Sequence, residues 1–211
     1  MNDSSACISG LFLITAMGSL MAAQTEPPPT TYSATIVRWS RGVPRTTEIY
    51  RDGSKAVVET RQFNPLPRSR SVQSHSRAFY DLESGSVLTT DLNQGPSNPA
   101  GQTPISSPNC RASTFTGAWG DPFERSAQLL ESFQQQDLRE TGVEKLKAFT
   151  TRVYESPVGW GKTKVWVETS YGMIVRVEVD GNPQMEVKRL DVARPPESCL
   201  VPSAYCAYAK L

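Results

Sequence analysis

Lys162–Val179 reads KTKVWVETSYGMIVRVEV. β-branched and aromatic residues crowd both halves, and Ser170, Tyr171 and Gly172 interrupt them, so the stretch predicts two strands around a turn. The second half alternates Met173, Val175, Val177 and Val179 with Ile174, Arg176 and Glu178, a period of two. With a connection of two residues (Tyr171, Gly172) or four (Thr169–Gly172), an odd-numbered residue after the turn faces an even-numbered one before it. Trp166 then shares a face with Met173, Val175 and Val177. Further segments of the same kind predict one curved antiparallel sheet with a large apolar face.

The segments before it supply more strands. TYSATIVRWS carries apolar residues on both faces (Ala34 and Ile36; Val37 and Trp39), as a strand covered on both sides does. RTTEIYR leads into Asp52-Gly53, a pair suited to a type I′ hairpin turn. Pairing Arg51 with Ser54 puts Ile49 opposite Ala56 and Thr47 opposite Val58, leaving Glu48, Tyr50, Lys55 and Glu59 on the other face. QFNPLPRSRSVQSHS reads as a loop whose Arg68 and Arg70 are solvated. SRAFYDL and SVLTTDL form a further hairpin about Glu83, Ser84 and Gly85, and residues 93–119 are a long loop, disordered in its first half.

One helix is predicted from Asp121 to about Asp137. Asp121 is its N-cap, Pro122 suits its first position, and Glu124 completes a capping-box spacing. Phe123, Ala127, Leu130 and Phe133 are spaced by four, three and three and form one stripe. The apolar face of the sheet, Trp166 included, is the expected partner of that stripe. GVEKLKAFTTRVY and QMEVKRLDV supply the last strands.

A chain of 211 residues with 38% hydrophobic residues fits one domain behind a processed leader. ACISGLFLITAMGSLMAA, residues 6–23, predicts a secretory signal peptide over residues 1–23. Residues 24–31, QTEPPPTT, form a proline-rich spacer and 32–211 the domain. Cys7 stands at the start of the apolar run, which argues against a lipidated cysteine. No membrane span is expected once the signal is removed. The balance of 22 Lys and Arg against 21 Asp and Glu gives no electrostatic case for nucleic acid. Export to the periplasm or beyond makes a disulfide the natural use of cysteine, and Cys110 with Cys206 or with Cys199 would tie the central loop to the C-terminal segment.

Reactive constellations are sparse. His75 is the single histidine and sits among serines; no CxxC pair accompanies it, so a metal site is not expected. Glu168 and Glu178 fall on opposite faces under the expected register, which argues against a carboxylate pair. Glycine clusters lack phosphate-loop spacing. No catalytic residue and no cofactor are expected. Apolar surface beneath the helix remains, either packed solid or open as a cavity for a hydrophobic ligand. Its expected lining is Trp166, Met173, Val175 and Val177 with Phe123, Ala127, Leu130 and Phe133.

In their order, EIYRDGSKAVVE, YDLESGSVLTTDL, WVETSYGMIVRVEV and ESCLVPSAY resemble segments of the periplasmic LolA and LolB lipoprotein-localisation superfamily. The resemblance implies an unclosed half-barrel whose concave side is covered by helix, with a cavity for lipoprotein acyl chains. The carriers open on a helix that helps to form the lid; this chain passes from its proline spacer straight into a strand. Expected partners are therefore an acyl chain or lipoprotein, or an envelope protein gripped by the same sheet.

Overall fold

A computed structural model describes residues 26–63, 72–92, 110–117, 119–134, 138–156, 161–203 and 206. The leader, the loop carrying Arg68 and Arg70, the first part of the long loop and the predicted end of the helix at Asp137 lie outside those residues. Among them the chain is mainly β and forms one antiparallel sheet of eleven strands that does not close. The strands are β1 Thr31–Ser40, β2 Val43–Asp52, β3 Lys55–Phe63, β4 Val72–Asp81, β5 Ser86–Asp91, β6 Cys110–Thr114, β7 Arg139–Leu146, β8 Phe149–Glu155, β9 Thr163–Glu168, β10 Ile174–Val179 and β11 Asn182–Asp191. Among the described residues a single α-helix, α1 Pro122–Gln134, lies between β6 and β7.

The sheet order is β6-β5-β4-β3-β2-β1-β11-β10-β9-β8-β7. Two meanders thus meet in the middle, where β1 pairs with β11, and α1 connects the two outer edges. The sheet is strongly curved, and α1 lies on its concave face.

Local chemistry shifts several elements from their sequence reading. The β2–β3 turn is at Gly53 and Ser54, with Asp52 paired to Lys55 and Ile49 to Val58. The ladder between β1 and β2 runs through Thr31 and Asp52, and Gly53 N–H donates to Thr30 O (3.0 Å), so the turn slides one residue outward and the register shifts by two. A register shift of two leaves the faces unchanged. His75 lies in β4, directly opposite Arg61, rather than in a loop. The spacer is anchored where it is described, because Glu26 N–H donates to Ser170 O (3.0 Å), and the first strand opens at Thr31.

The largest correction concerns the opening hairpin. Glu168 N–H donates to Met173 O (2.8 Å), leaving Thr169–Gly172 as a four-residue connection. Ile174 then pairs with Val167, but the next pair is Arg176 with Trp166, so Val175 is the extra residue of a β-bulge. Beyond the bulge, odd residues pair with odd, and Val177 pairs with Val165. Val177 therefore points to the side opposite Trp166.

Two clusters divide the core. One joins Tyr32, Ala34, Ile36, Ile49, Ala56 and Val187 to Trp119 and Phe123, and extends to Val153, Trp166, Met173 and Val175. The other contains Leu138, Tyr154, Val165, Val167 and Ile174, with Leu129, Leu130, Phe133, Val177 and Met185 packed on it.

Candidate functional site

The concave face is built one ladder row at a time, since directly paired residues of antiparallel strands point to the same side. One row runs Val165, Val177, Met185, Arg38, Arg45, Gln62 and Ser74, across β9, β10, β11, β1, β2, β3 and β4. It changes from apolar to basic to neutral polar. Leu129, Leu130 and Phe133 of α1 lie over its apolar end, packed against the cluster that holds Val165, Val167 and Ile174.

Helix α1 is fixed at its start and lightly held beyond. Asp121, 1% exposed, receives Phe123 N–H (2.8 Å) and Glu124 N–H (3.3 Å) on Oδ1. Its Oδ2 receives Tyr32 OH (3.0 Å) and Arg51 Nη1 (2.5 Å). Arg51 also stacks over Trp119, 5.6 Å from the ring centroid. Burial, then the neighbouring Asp121 carboxylate, pushes the Tyr32 phenol far above its ordinary range, so it stays a neutral donor. One turn on, Ser126 accepts Ile174 N–H (2.9 Å) while donating to Pro122 O (2.6 Å). This bond satisfies a buried strand amide close to the Val175 bulge. The second half of α1 contributes Leu129, Leu130 and Phe133, all only half-buried.

The helix stripe is accordingly Phe123, Ser126, Leu129, Leu130 and Phe133. Ala127 is exposed, because Ser126 occupies the buried position three residues after Phe123. Of the predicted lining residues, Phe123 joins the cluster of Trp166, Met173 and Val175, whereas Leu130, Phe133 and Val177 belong to the second. The eight do not line one space.

Trp166 is nonetheless buried, at 5% exposure, on the side away from the second half of α1. Its indole N–H donates to Glu144 Oε2 (2.8 Å). Lys164 and Arg176 lie 4.8 and 5.3 Å from the ring, within cation–π range. The tip of the β7–β8 hairpin bends over the same side: Lys147 Nζ meets Glu186 Oε1 at 2.5 Å, although two strands separate β8 from β11. Long charged side chains thus cover a large aromatic there.

At the β3–β6 end of that outer side, Glu59 binds Arg61 (2.5 Å), His75 (2.7 Å) and Arg77 (2.9 Å). Burial alone would raise the Glu59 carboxyl, but the hydrogen bonds from His75 and Arg61 outweigh it and hold the pKa below the ordinary value. Arg77 also donates to Cys199 O (3.0 Å) and Val201 O (3.2 Å), so it clamps the C-terminal segment. Cys110 and Cys206 form the disulfide, and Cys199 is a free thiol. The Glu59 group is an ion network in which Arg77 Nε is buried without a hydrogen-bond partner among the described residues, and no cluster of three or more His, Cys, Asp or Glu with metal-binding geometry occurs among the described residues.

Sequence reasoning passed over Arg38. The signal was a basic residue continuing the even-numbered face of β1, which is otherwise Tyr32, Ala34 and Ile36. Arg38 stands directly opposite Arg45. Burial, and then the like charges of Arg125 from α1 and of Arg45, lowers the pKa of its guanidinium from the usual arginine value.

No family model matches the chain and no curated protein matches it. Two solved structures of PNGF-II, in the C2 and P21 space groups, align with 81% and 82% of the chain at 8% identity and TM-scores of 0.33 and 0.35. The chain spans 29% and 30% of the length of those structures.

Proposed function

We propose that the protein is an exported, non-enzymatic binding protein of the LolA-like kind that accepts an acyl chain or a similar hydrophobic ligand between α1 and the concave face of the sheet. The observation that carries this reading is the asymmetry of α1. Its N-terminal end is locked by Asp121 and Ser126, while Leu129, Leu130 and Phe133 rest half-buried on Val165, Val167, Ile174 and Val177. A helix held at one end and laid on an apolar patch at the other works as a lid, because swinging it exposes surface that a chain can cover. In the closed state those side chains fill the space themselves, so binding exchanges one apolar contact for another and needs no permanent cavity.

The disulfide Cys110–Cys206 supports an oxidising compartment, periplasmic or extracellular. No helix among the described residues is long and apolar enough to cross a membrane. The test is mass spectrometry of organic extracts of the purified protein, together with titration of a fluorescent fatty acid. Co-purified lipid or saturable uptake supports the reading, and the absence of both refutes it. A protein partner is the second reading, favoured by the outermost strand β7, whose Val143 is 64% exposed. In-cell crosslinking from β7 then captures one defined envelope polypeptide.

A further inference from the structure

The apolar patch under α1 ends at a cluster of arginines. Arg38 and Arg45 are a directly opposed cross-strand pair, and Met185 is the other neighbour of Arg38 in the same row. Arg125, exposed on the first half of α1, adds a third positive charge near Arg38. Arg45 donates to Gln62 Oε1 (3.0 Å), a neutral acceptor. Among the described residues no carboxylate forms an ion pair with any of the three. Like charges placed directly opposite each other across a ladder are destabilising. Guanidinium groups convergent on one place bind phosphate or carboxylate through paired N–H donors.

We propose that Arg38, Arg45 and Arg125 form a binding site for the anionic head group of an amphiphile whose chain lies along Met185, Val177 and Val165 beneath α1. The inference rests on the function proposed above and narrows its ligand to an anionic lipid. From β1 to β9 is three strand spacings, about 14 Å. A chain that starts at Arg38 therefore runs under Leu129, Leu130 and Phe133 without leaving the patch. Arg125 belongs to the half of α1 that Asp121 and Ser126 anchor, and Arg38 and Arg45 to the sheet, so the three guanidiniums hold their places while the second half of α1 moves. A neutral head group gains nothing from that charge.

Calorimetric titration of the exported chain tests this with three probes: dodecyl phosphate below its critical micelle concentration, dodecyl maltoside, and inorganic phosphate. Dodecyl phosphate is expected to bind at least tenfold more tightly than either of the others. Arg38→Gln and Arg125→Gln are each expected to weaken it about tenfold, whereas Lys145→Gln, on exposed β7, leaves it unchanged. Thermal stability of Arg38→Gln should hold or rise, since crowding of like charge is relieved. Arg125 is exposed on the helix, so its variant keeps the test open if Arg38→Gln folds poorly.

Equal binding of dodecyl phosphate and dodecyl maltoside overturns the head-group site and leaves the hydrophobic reading standing. Equal binding of dodecyl phosphate and inorganic phosphate, lost together in Arg38→Gln, overturns the amphiphile and leaves a plain anion site. Dodecyl phosphate affinity indifferent to both arginine substitutions overturns the inference outright. If none of the probes binds, the inference and the lid reading fall together.

Discussion

Replacing Asp121 by alanine removes the one carboxylate that fixes the start of α1. Loss of an N-cap alone costs about 1 kcal/mol. Here the same group is buried and ion-paired, and its removal leaves the Arg51 guanidinium and the Tyr32 hydroxyl without their partner in a site where Asp121 is 1% exposed. Breaking one side of such a pair costs about 3–5 kcal/mol. Both effects come from one side chain, so they are not summed, and about 3–5 kcal/mol is the expected loss. Asp121→Asn keeps a capping oxygen but not the charge, and should lose less, about 2 kcal/mol. Arg51→Met in the Asp121→Ala background should recover stability, because the uncompensated cation goes with it. Urea unfolding followed by tryptophan fluorescence in non-reducing buffer reads all four variants, with the m-value as a check that the native and unfolded states are unchanged. A loss under 1 kcal/mol for Asp121→Ala would refute the lock, as would an Arg51→Met effect of the same size with and without Asp121.

Trp166→Ala should destabilise by about 3–5 kcal/mol, as truncation of a buried aromatic does, while fatty-acid uptake stays unchanged because Trp166 lies on the side away from the second half of α1; lost uptake in a stably folded variant would contradict that placement. Cys110→Ser opens a link between residues 96 apart in sequence. Loop entropy sets its cost at about 4–5 kcal/mol, measured as a fall in the urea midpoint. Glu59 titrates below its ordinary value of 4.5 in the folded protein. The stability it contributes is therefore complete above pH 4.5 and is lost as pH falls through the lower folded value. Glu59→Gln should flatten the stability curve in that acid range, and a curve as steep as that of the parent protein would show that the network is not linked to folding.

Much of the fold could be read in the chain because its strands are written in period two and its turns in glycine. The β-rich character, the single helix with Asp121 as its cap, and the open sheet were legible. So was the choice of Cys110 as one half of the disulfide, with its partner left between Cys206 and Cys199. The faces of the opening hairpin were not, since Val175 is a bulge and nothing in MIVRV marks which valine is the extra one. A bulge inverts every side chain beyond it, and Val177 changed sides for that reason. Ala127 was misplaced because hydrophobicity chose it over Ser126, whose hydroxyl binds a strand amide and so belongs inside. Arg38 and Arg45 are only seven residues apart on one hairpin, but Arg125 is far from both in sequence, and only the placement of α1 brings it near them.

The position of β1 carries a consequence for how the molecule is made. Residues 33–38 end up at the centre of the sheet, yet one side of that strand is completed only by residues 185–191. If the chain emerges N-terminus first, the meander β1–β6 can assemble early while the open edge of β1 waits for the last strand. During that interval Ala34, Ile36 and Val37 lie on an unpaired edge, the template that promotes misassembly between chains. Refolding yield should therefore fall with protein concentration more steeply than equilibrium stability alone implies. Supplying the β11 sequence as a free peptide during refolding should restore part of that yield.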